Sequence, residues 1–152
     1  MALPDIFTKN VTDEVIGRIN KLTPASQPKW GKMSVSQMLA HCCVTYEMVY
    51  ETKHPAPKGL MKIMLKLLIK NVVTGETPYK RNSRTAPAFL ITTEKEFDTE
   101  KSRLVNYIEH TRNLGAKEFD NKPSLSFGNL TTTEWNNMFY KHLDHHLRQF
   151  GV

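Results

Sequence analysis

The segment TTTEWNNMFYKHLDHHLRQF, residues 131–150, predicts an amphipathic α-helix that carries a cluster of histidines. At about 100° per residue, its large apolar side chains fall on one side of a helical wheel. Thr131 and Glu134 have the spacing of a capping box, in which each side chain accepts a hydrogen bond from the other residue's backbone N–H. The helix is therefore expected to begin at this pair and to end at Phe150, before Gly151.

In that helix His142 and His146 are one turn apart, so their imidazoles lie on the same face and can converge on one ion. Both lie within about 20° of Trp135, in the middle of the apolar face. Buried imidazoles need polar partners, and either a shared metal ion or separate hydrogen bonds in the core would supply them. His145 falls at the edge of this face, whereas Gln149 faces inward and bonds either a ligand histidine or a loop. His145 and Gln149 are therefore the candidates for side chains that support the ligands.

Three further segments have helical periodicity, namely residues 12–22, 34–52 and 94–114. Thr12 is the expected cap of the first segment. Ser34 and Gln37 have capping-box spacing at the start of the second, and Gly115 is expected to end the third. No segment alternates between apolar and polar residues over the length of a strand, so the sequence predicts an all-α protein.

Residues 55–93 form a long connection between the second and third predicted helices. Within this connection, residues 58–70 predict an extra helix. The pattern indicates a four-helix bundle whose long crossover, between helices two and three, carries the extra helix. At 152 residues, the chain is expected to form a single domain over residues 1–152.

The third ligand of a metal site has to come from another helix. His41 is the natural candidate, because it lies in the middle of the second helix at the edge of its apolar arc. His54 lies beside a proline in a loop, and His110 lies off the apolar stripe of the third helix. Three neutral imidazoles with one open coordination position suit Zn²⁺, Ni²⁺ or a similar divalent ion. Such an ion lowers the pKa of a bound water toward about 7.

Two motifs resemble the DinB-like superfamily. The segment WGKMSVSQMLAH, residues 30–41, is similar to the start of that superfamily's second helix, with a tryptophan before the helix and the pattern Gln-Met-Leu-x-His. Residues 135–149 are similar to its fourth helix, in which a histidine, two intervening residues and a His-His pair precede a glutamine. The resemblance implies a four-helix bundle that holds a divalent metal through His41, His142 and His146. The family's frequent HHRGQ reads HHLRQ here, so the chain resembles an uncharacterised branch of the superfamily.

The same resemblance implies a metal-dependent enzyme that activates a thiol or water for attack on a small electrophile. Some members resemble thiol S-transferases and others are described as hydrolases, so a small-molecule substrate and a low-molecular-weight thiol are the expected partners. The alternative is a non-catalytic metal-binding or stress-response module. The sequence singles out no catalytic residue.

Composition narrows the range of partners. Apolar residues make up 39% of the chain and charged residues 24%, proportions typical of a folded globular protein. The net charge of +6 comes from 21 basic and 15 acidic residues that are interspersed. Neither a patch of alternating aromatic and basic residues nor a helix-turn-helix is visible, so no nucleic-acid partner is predicted.

The two cysteines and the N-terminal residues bear on the cellular compartment. Cys42 and Cys43 are adjacent, which excludes a framework of disulfides and favours a reducing compartment. Cys42 is expected to face the core, and Cys43 is not. The N-terminal segment lacks the apolar run of a secretory signal, and no stretch reaches the roughly 18 apolar residues of a spanning helix. The interpretation is a cytoplasmic protein.

The extra helix in the crossover has its lysines at every fourth position, opposite a wide apolar face; these are Lys58, Lys62, Lys66 and Lys70. Such a helix can lie on a membrane surface, form a dimer contact or pack its apolar face on the bundle. Packing on the bundle is favoured, with no membrane partner, and a homodimer is left open.

Overall fold

The computed structural model describes residues 2–152, which are mostly helical. Its helices are α1 (Lys9–Asn20), α2 (Val35–Tyr50), α3 (residues 59–74), α4 (Phe97–Leu114) and α5 (Thr132–Gln149). Helix α3 is α-helical at Gly59–Met64 and Lys70–Thr74, with a π-helical turn at Leu65–Ile69 between them. Short 3₁₀ turns lie at Pro87–Phe89 and Ala116–Phe119. The expectation of a helical protein is confirmed, including the extra helix in the crossover.

A small antiparallel sheet lies between α4 and α5, where no strand was predicted. Strands β1 (Lys122–Ser124) and β2 (Gly128–Leu130) pair with Lys122 opposite Leu130. The Ser124 hydroxyl donates to the Gly128 carbonyl and accepts from the Phe127 N–H, which closes the turn. Strands of three residues are too short for an alternating pattern to show in the sequence. The prediction of no strand was therefore wrong at this point.

Both predicted capping boxes are present. In one, Gln37 N–H donates to Ser34 Oγ (3.2 Å) and Ser34 N–H to Gln37 Oε1 (3.0 Å). In the other, Thr131 and Glu134 make the same pair of bonds at 3.2 and 2.9 Å. Gly115 ends α4 with φ of 77°, as expected. The predicted cap at Thr12 was wrong, because α1 begins earlier and the Thr12 hydroxyl donates instead to the Ile6 carbonyl.

An aromatic cluster forms the middle of the core. Phe139 of α5 is fully buried and stacks on Tyr46 of α2 at a centroid distance of 4.9 Å. Trp135 and Phe119 pack against the same ring at 5.5 and 5.6 Å, and Phe7 at 6.5 Å. These contacts hold α2 beside α5, and that pairing positions the histidines of the two helices.

Helix α2 is enclosed more completely than an amphipathic surface helix. It packs against α4, α5 and the 3₁₀ turn at Pro87–Phe89, and every residue from 38 to 47 is buried. Cys43 was expected to point away from the core but is fully buried, because α4 covers that side. Both cysteines carry free thiols.

A buried ion-pair network joins α2 to α4. Glu47 is 5% exposed and pairs with Arg103, with Lys53 at 2.7 Å and with His54 at 2.8 Å. Arg103 also pairs with Glu100 at 2.8 Å. Burial alone would raise the pKa of Glu47, but its hydrogen bonds to Lys53 and His54 hold that pKa below the usual value. The carboxylate is therefore used in the contact between these helices and not at the histidine cluster.

Most of the apolar face of α3 does not pack on the other helices, although residues 70–74 contact α5. Leu60 is 79% exposed and Leu67 is 70% exposed. The buried residue of this helix is Thr74, near its C-terminal end. The expectation that this face is covered by the bundle was wrong. None of the helices described for residues 2–152 is long and apolar enough to cross a membrane.

Candidate metal centre

The structure brings together the three histidines that were predicted as metal ligands. His142 and His146 lie one turn apart on α5, and His41 faces them from α2. One ring nitrogen from each of the three lies within 4.8 Å of the others. The His41 and His142 Nε2 atoms are 2.9 Å apart, and the His41 and His146 ring centroids are 4.5 Å apart. In the described part of the chain this group contains no carboxylate and no thiol.

Burial keeps these imidazoles neutral. His41 and His146 are 5% and 7% exposed, and His142 is partly buried. Loss of hydration lowers the pKa of His41, lowers that of His142 well below its usual value, and lowers that of His146 to about 3. Neighbouring imidazoles add to each of these shifts. A neutral imidazole is the form that binds a metal, so the three side chains are ready to act as ligands at neutral pH.

Hydrogen bonds outside the cluster orient two of the rings directly. His41 Nδ1 is 2.8 Å from the carbonyl oxygen of Phe89, and a carbonyl can only accept. The Nδ1 atom therefore carries the proton, and Nε2 presents a lone pair to the cluster. His146 Nδ1 donates in the same way to Gln149 Oε1 at 2.8 Å, while Gln149 Nε2 donates to the Trp30 carbonyl at 2.7 Å. Such partners fix the tautomer and the direction of a ligand histidine.

The third ring can exist in two tautomers. Because His41 Nε2 carries no proton, its 2.9 Å contact requires His142 Nε2–H to donate. His142 Nδ1 then accepts from the Thr45 hydroxyl at 2.9 Å. A hydroxyl both donates and accepts, so the same Thr45 contact also suits a His142 that carries its proton on Nδ1. That second tautomer frees Nε2 for an ion.

The donor set fits a divalent transition metal. Imidazole ligands suit Zn²⁺, Ni²⁺ and their neighbours, and three of them leave an open position. Tetrahedral Zn²⁺ with Zn–N bonds of about 2.0–2.1 Å holds its nitrogens about 3.4 Å apart. The present separations, of 2.9 Å for one pair and up to 4.8 Å within the group, lie on either side of that value. The three nitrogens are therefore close enough together for one ion to be shared among them after the side chains adjust.

Aromatic side chains from two loops surround the cluster. The Phe89 ring lies 5.4 Å from His41 and 5.7 Å from His142, and the Tyr79 ring lies 6.4 Å from His142. Both come from the part of the crossover that follows α3, residues 75–93, where the sequence carries no periodic signal. Phe89, Tyr79 and Thr45 were not predicted as site residues. Only the preference of aromatic rings for buried, apolar surroundings could have indicated the first two.

The remaining histidines lie outside the group of three. His145 packs edge-on against His146 at 5.0 Å and against Trp30 at 5.8 Å, so it contacts the cluster through its ring. His54 pairs with Glu47, and His110 packs on Tyr50 at 4.9 Å. Of the two candidate supporting residues, Gln149 makes a hydrogen bond to a histidine of the triad.

Gly31 leaves the space that Gln149 occupies. Its φ is 80°, a conformation that glycine adopts without strain, and a Cβ on this residue would lie 2.7 Å from Gln149 Nε2. A side chain at this position would displace the amide that orients His146. The significance of Gly31 was not recognised in the sequence, because its partner is distant along the chain.

We expect Gln149→Leu to weaken metal binding by about 10–100-fold, the usual effect of removing a hydrogen-bond partner of a ligand histidine. His146 would lose the acceptor that holds its tautomer and direction. Competition with a chromophoric chelator measures the affinity. Gln27→Leu, an exposed glutamine away from the cluster, is the matched control. Equal affinities of Gln149→Leu and wild type would contradict the assigned role.

We expect the metal-free protein to lose stability in acid. The folded-state pKa values of the triad lie below the unfolded value of about 6.5, so this stability is complete above that pH and is lost as the pH falls through it. For His146 alone, the free energy of unfolding should fall by about 2 kcal/mol between about pH 7.5 and about pH 5. Urea unfolding in chelator at both pH values measures the change. His146→Ala should lose less over the same interval, and an equal loss in this variant would count against the pKa argument.

One comparison with known proteins gives a match. A family model described as "Protein of unknown function (DUF1569)" matches residues 7–151, a range that contains all three clustered histidines. Neither the curated proteins nor the solved structures contain a match to the chain.

Proposed function

We propose that this chain, which belongs to the DUF1569 family of proteins of unknown function, binds a divalent transition metal through His41, His142 and His146. The observation that carries the proposal is the orientation of the rings. Each Nδ1 atom has a partner outside the cluster, so Nε2 is the nitrogen that each ring has left for an ion, and one ring nitrogen from each residue lies within 4.8 Å of the others. Zn²⁺ and Ni²⁺ are the ions that suit this donor set best.

We also propose that the four long helices, α1, α2, α4 and α5, form a four-helix bundle of the DinB-like type. Two observations support this arrangement. The long crossover lies between α2 and α4 and carries an extra helix, and the histidines come from the two helices that the DinB-like motifs single out. A solved crystal structure of any family member, compared with DinB-like proteins, would test this relationship.

For the activity, we propose a metal-dependent enzyme that acts on a small electrophile in the cytoplasm, with a low-molecular-weight thiol or water as the nucleophile. The bound ion would supply Lewis-acid activation of that thiol or water at neutral pH. The chain itself would contribute neutral ligands, fixed ring directions and an aromatic wall of Phe89 and Tyr79. The two buried, free cysteines fit a reducing compartment.

Elemental analysis and a chelator-dependent assay test the two parts separately. Purified protein should contain about one equivalent of metal, and a panel of thiols with a reactive electrophile should show turnover that chelation removes and metal restores. If the purified protein binds no metal, the whole proposal is rejected. Full metal loading with no turnover on any thiol, or with water, would reject only the catalytic part.

A second candidate is a non-catalytic metal-binding module. The cluster favours it in one respect, because in the described residues the candidate ligand group contains only the three histidines and no carboxylate to act as a general base. Metal loading without turnover is the result that this candidate predicts.

A further inference from the structure

Helix α3 presents an unusually large apolar surface to solvent. The exposed fraction is 79% for Leu60, 70% for Leu67 and 65% for Leu68. Ile63 and Val72 are each 56% exposed. Single exposed apolar residues are common on proteins, but a contiguous set along one helix marks an interaction surface.

The helix is attached to the rest of the protein at its C-terminal end. The Lys141 ammonium donates to the Val72 carbonyl at 2.8 Å and to that of Gly75, and Asn137 Nδ2 donates to the Thr74 carbonyl at 2.9 Å. These bonds satisfy carbonyl groups that the end of a helix leaves without intrahelical partners. Lys70 adds an ion pair with Glu134 at 2.7 Å. The earlier part of α3 extends from this attached end, and its Leu60, Leu67 and Leu68 side chains are exposed to solvent.

Within α3 itself, the charged side chains have one sign. Lys58, Lys62 and Lys66 lie on the same helical segment as the exposed leucines, and the sequence has no aspartate or glutamate between residues 52 and 75. The acidic partner that another element supplies is Glu134, which pairs with Lys70 at the attached end. A second copy of the same surface would bring lysines against lysines without acidic residues to pair with them. A flat anionic surface complements both features, because it accepts apolar side chains below a layer of negative charge.

We propose that α3 docks this protein on anionic lipid membranes. The leucine side chains enter the boundary between headgroups and acyl chains, and the lysines contact lipid phosphates and carboxylates while their stems cover apolar surface. The helix lies in the plane of the interface and does not span the bilayer. This inference is independent of metal binding.

The test is co-sedimentation of the full chain with vesicles of phosphatidylcholine alone and of phosphatidylcholine with about a third phosphatidylserine. Binding is expected on the anionic vesicles, with weakening as salt is raised, and much weaker binding on neutral ones. Absence of binding to the anionic vesicles overturns the proposal. Equal binding to the anionic and the neutral vesicles also overturns the proposal, because the lysine charges would then contribute nothing to membrane binding.

Two variants with matched controls separate the contributions. Lys62→Glu with Lys66→Glu should lower the partition coefficient by at least about 25-fold, since each lysine near an anionic surface contributes about fivefold. Lys21→Glu with Lys117→Glu changes the charge equally at exposed positions elsewhere and should retain most of the binding.

Leu60→Ser with Leu67→Ser should weaken vesicle binding by at least about tenfold without changing the thermal unfolding temperature, because both side chains are exposed. Leu114→Ser, on α4, should bind like wild type. Light scattering measures the oligomeric state and so tests the alternative that α3 forms a contact between two copies of the chain. A dimer that Leu60→Ser with Leu67→Ser converts to monomer would overturn lipid docking in favour of a contact between two copies.

Discussion

His146→Ala is expected to lower the affinity for Zn²⁺ by more than about 100-fold, beyond the effect usual for a partner of a ligand. His146 supplies one of three nitrogens, and its Nδ1 is already bonded to Gln149, so no other group of the described cluster can replace its Nε2. Elemental analysis after dialysis should fall from about one equivalent to near zero. His41→Ala should behave similarly, because its nitrogen comes from the opposite helix.

His145→Ala is the matched control for this experiment. It removes the adjacent imidazole from the same helix, yet that ring lies outside the group of three. The variant should keep full metal stoichiometry. If His146→Ala also kept full stoichiometry, the assignment of ligands would be wrong. If His145→Ala lost the metal while His146→Ala did not, His145 would be the ligand from this turn.

Phe139→Ala should destabilise the metal-free protein by about 3–5 kcal/mol, the range for truncating a fully buried phenylalanine. Its ring contacts Tyr46, Trp135 and Phe119, so the cavity would lie where α2 and α5 meet. Urea unfolding in the presence of chelator measures the loss. Because the same contact positions the histidines, metal affinity should fall as well.

Phe89→Ala is the control for Phe139→Ala, because it removes an aromatic ring that contacts the histidines but does not belong to the buried aromatic cluster. Its ring also contacts the histidines, but it is partly exposed, and its backbone carbonyl would still accept from His41. We expect this variant to lose less than about 1 kcal/mol. A loss from Phe139→Ala no larger than that from Phe89→Ala would show that the aromatic cluster is not the main contact between the two helices.

The features that were predicted correctly from the sequence are local ones. Capping boxes at Ser34 and Thr131 involve residues three apart, and the His142–His146 pair follows from one helical turn. The position of His41 beside this pair was predicted from its place on a core-facing arc. In each case the residues that decide the geometry lie within a few positions of one another.

The features that were missed depend on distant neighbours. Cys43 is buried because α4 covers it, and Gly31 matters because Gln149 approaches it. Phe89 reaches the cluster from a segment without periodicity. The exposure of the leucines in α3 could not be predicted either, because an apolar helical face has the same pattern whether another helix covers it or not.

The tautomers of the triad have a consequence for the heat of metal binding. All three imidazoles are neutral before an ion arrives, and the His142 proton can move from Nε2 to Nδ1, where Nδ1–H donates a hydrogen bond to the Thr45 hydroxyl oxygen. Loading the ligands then releases no proton from them to the solvent. Calorimetric enthalpies measured near neutral pH in buffers of different ionisation heat should agree, apart from any proton lost by a coordinated water. A site of solvent-exposed histidines, partly protonated at the same pH, would show a clear dependence on the buffer.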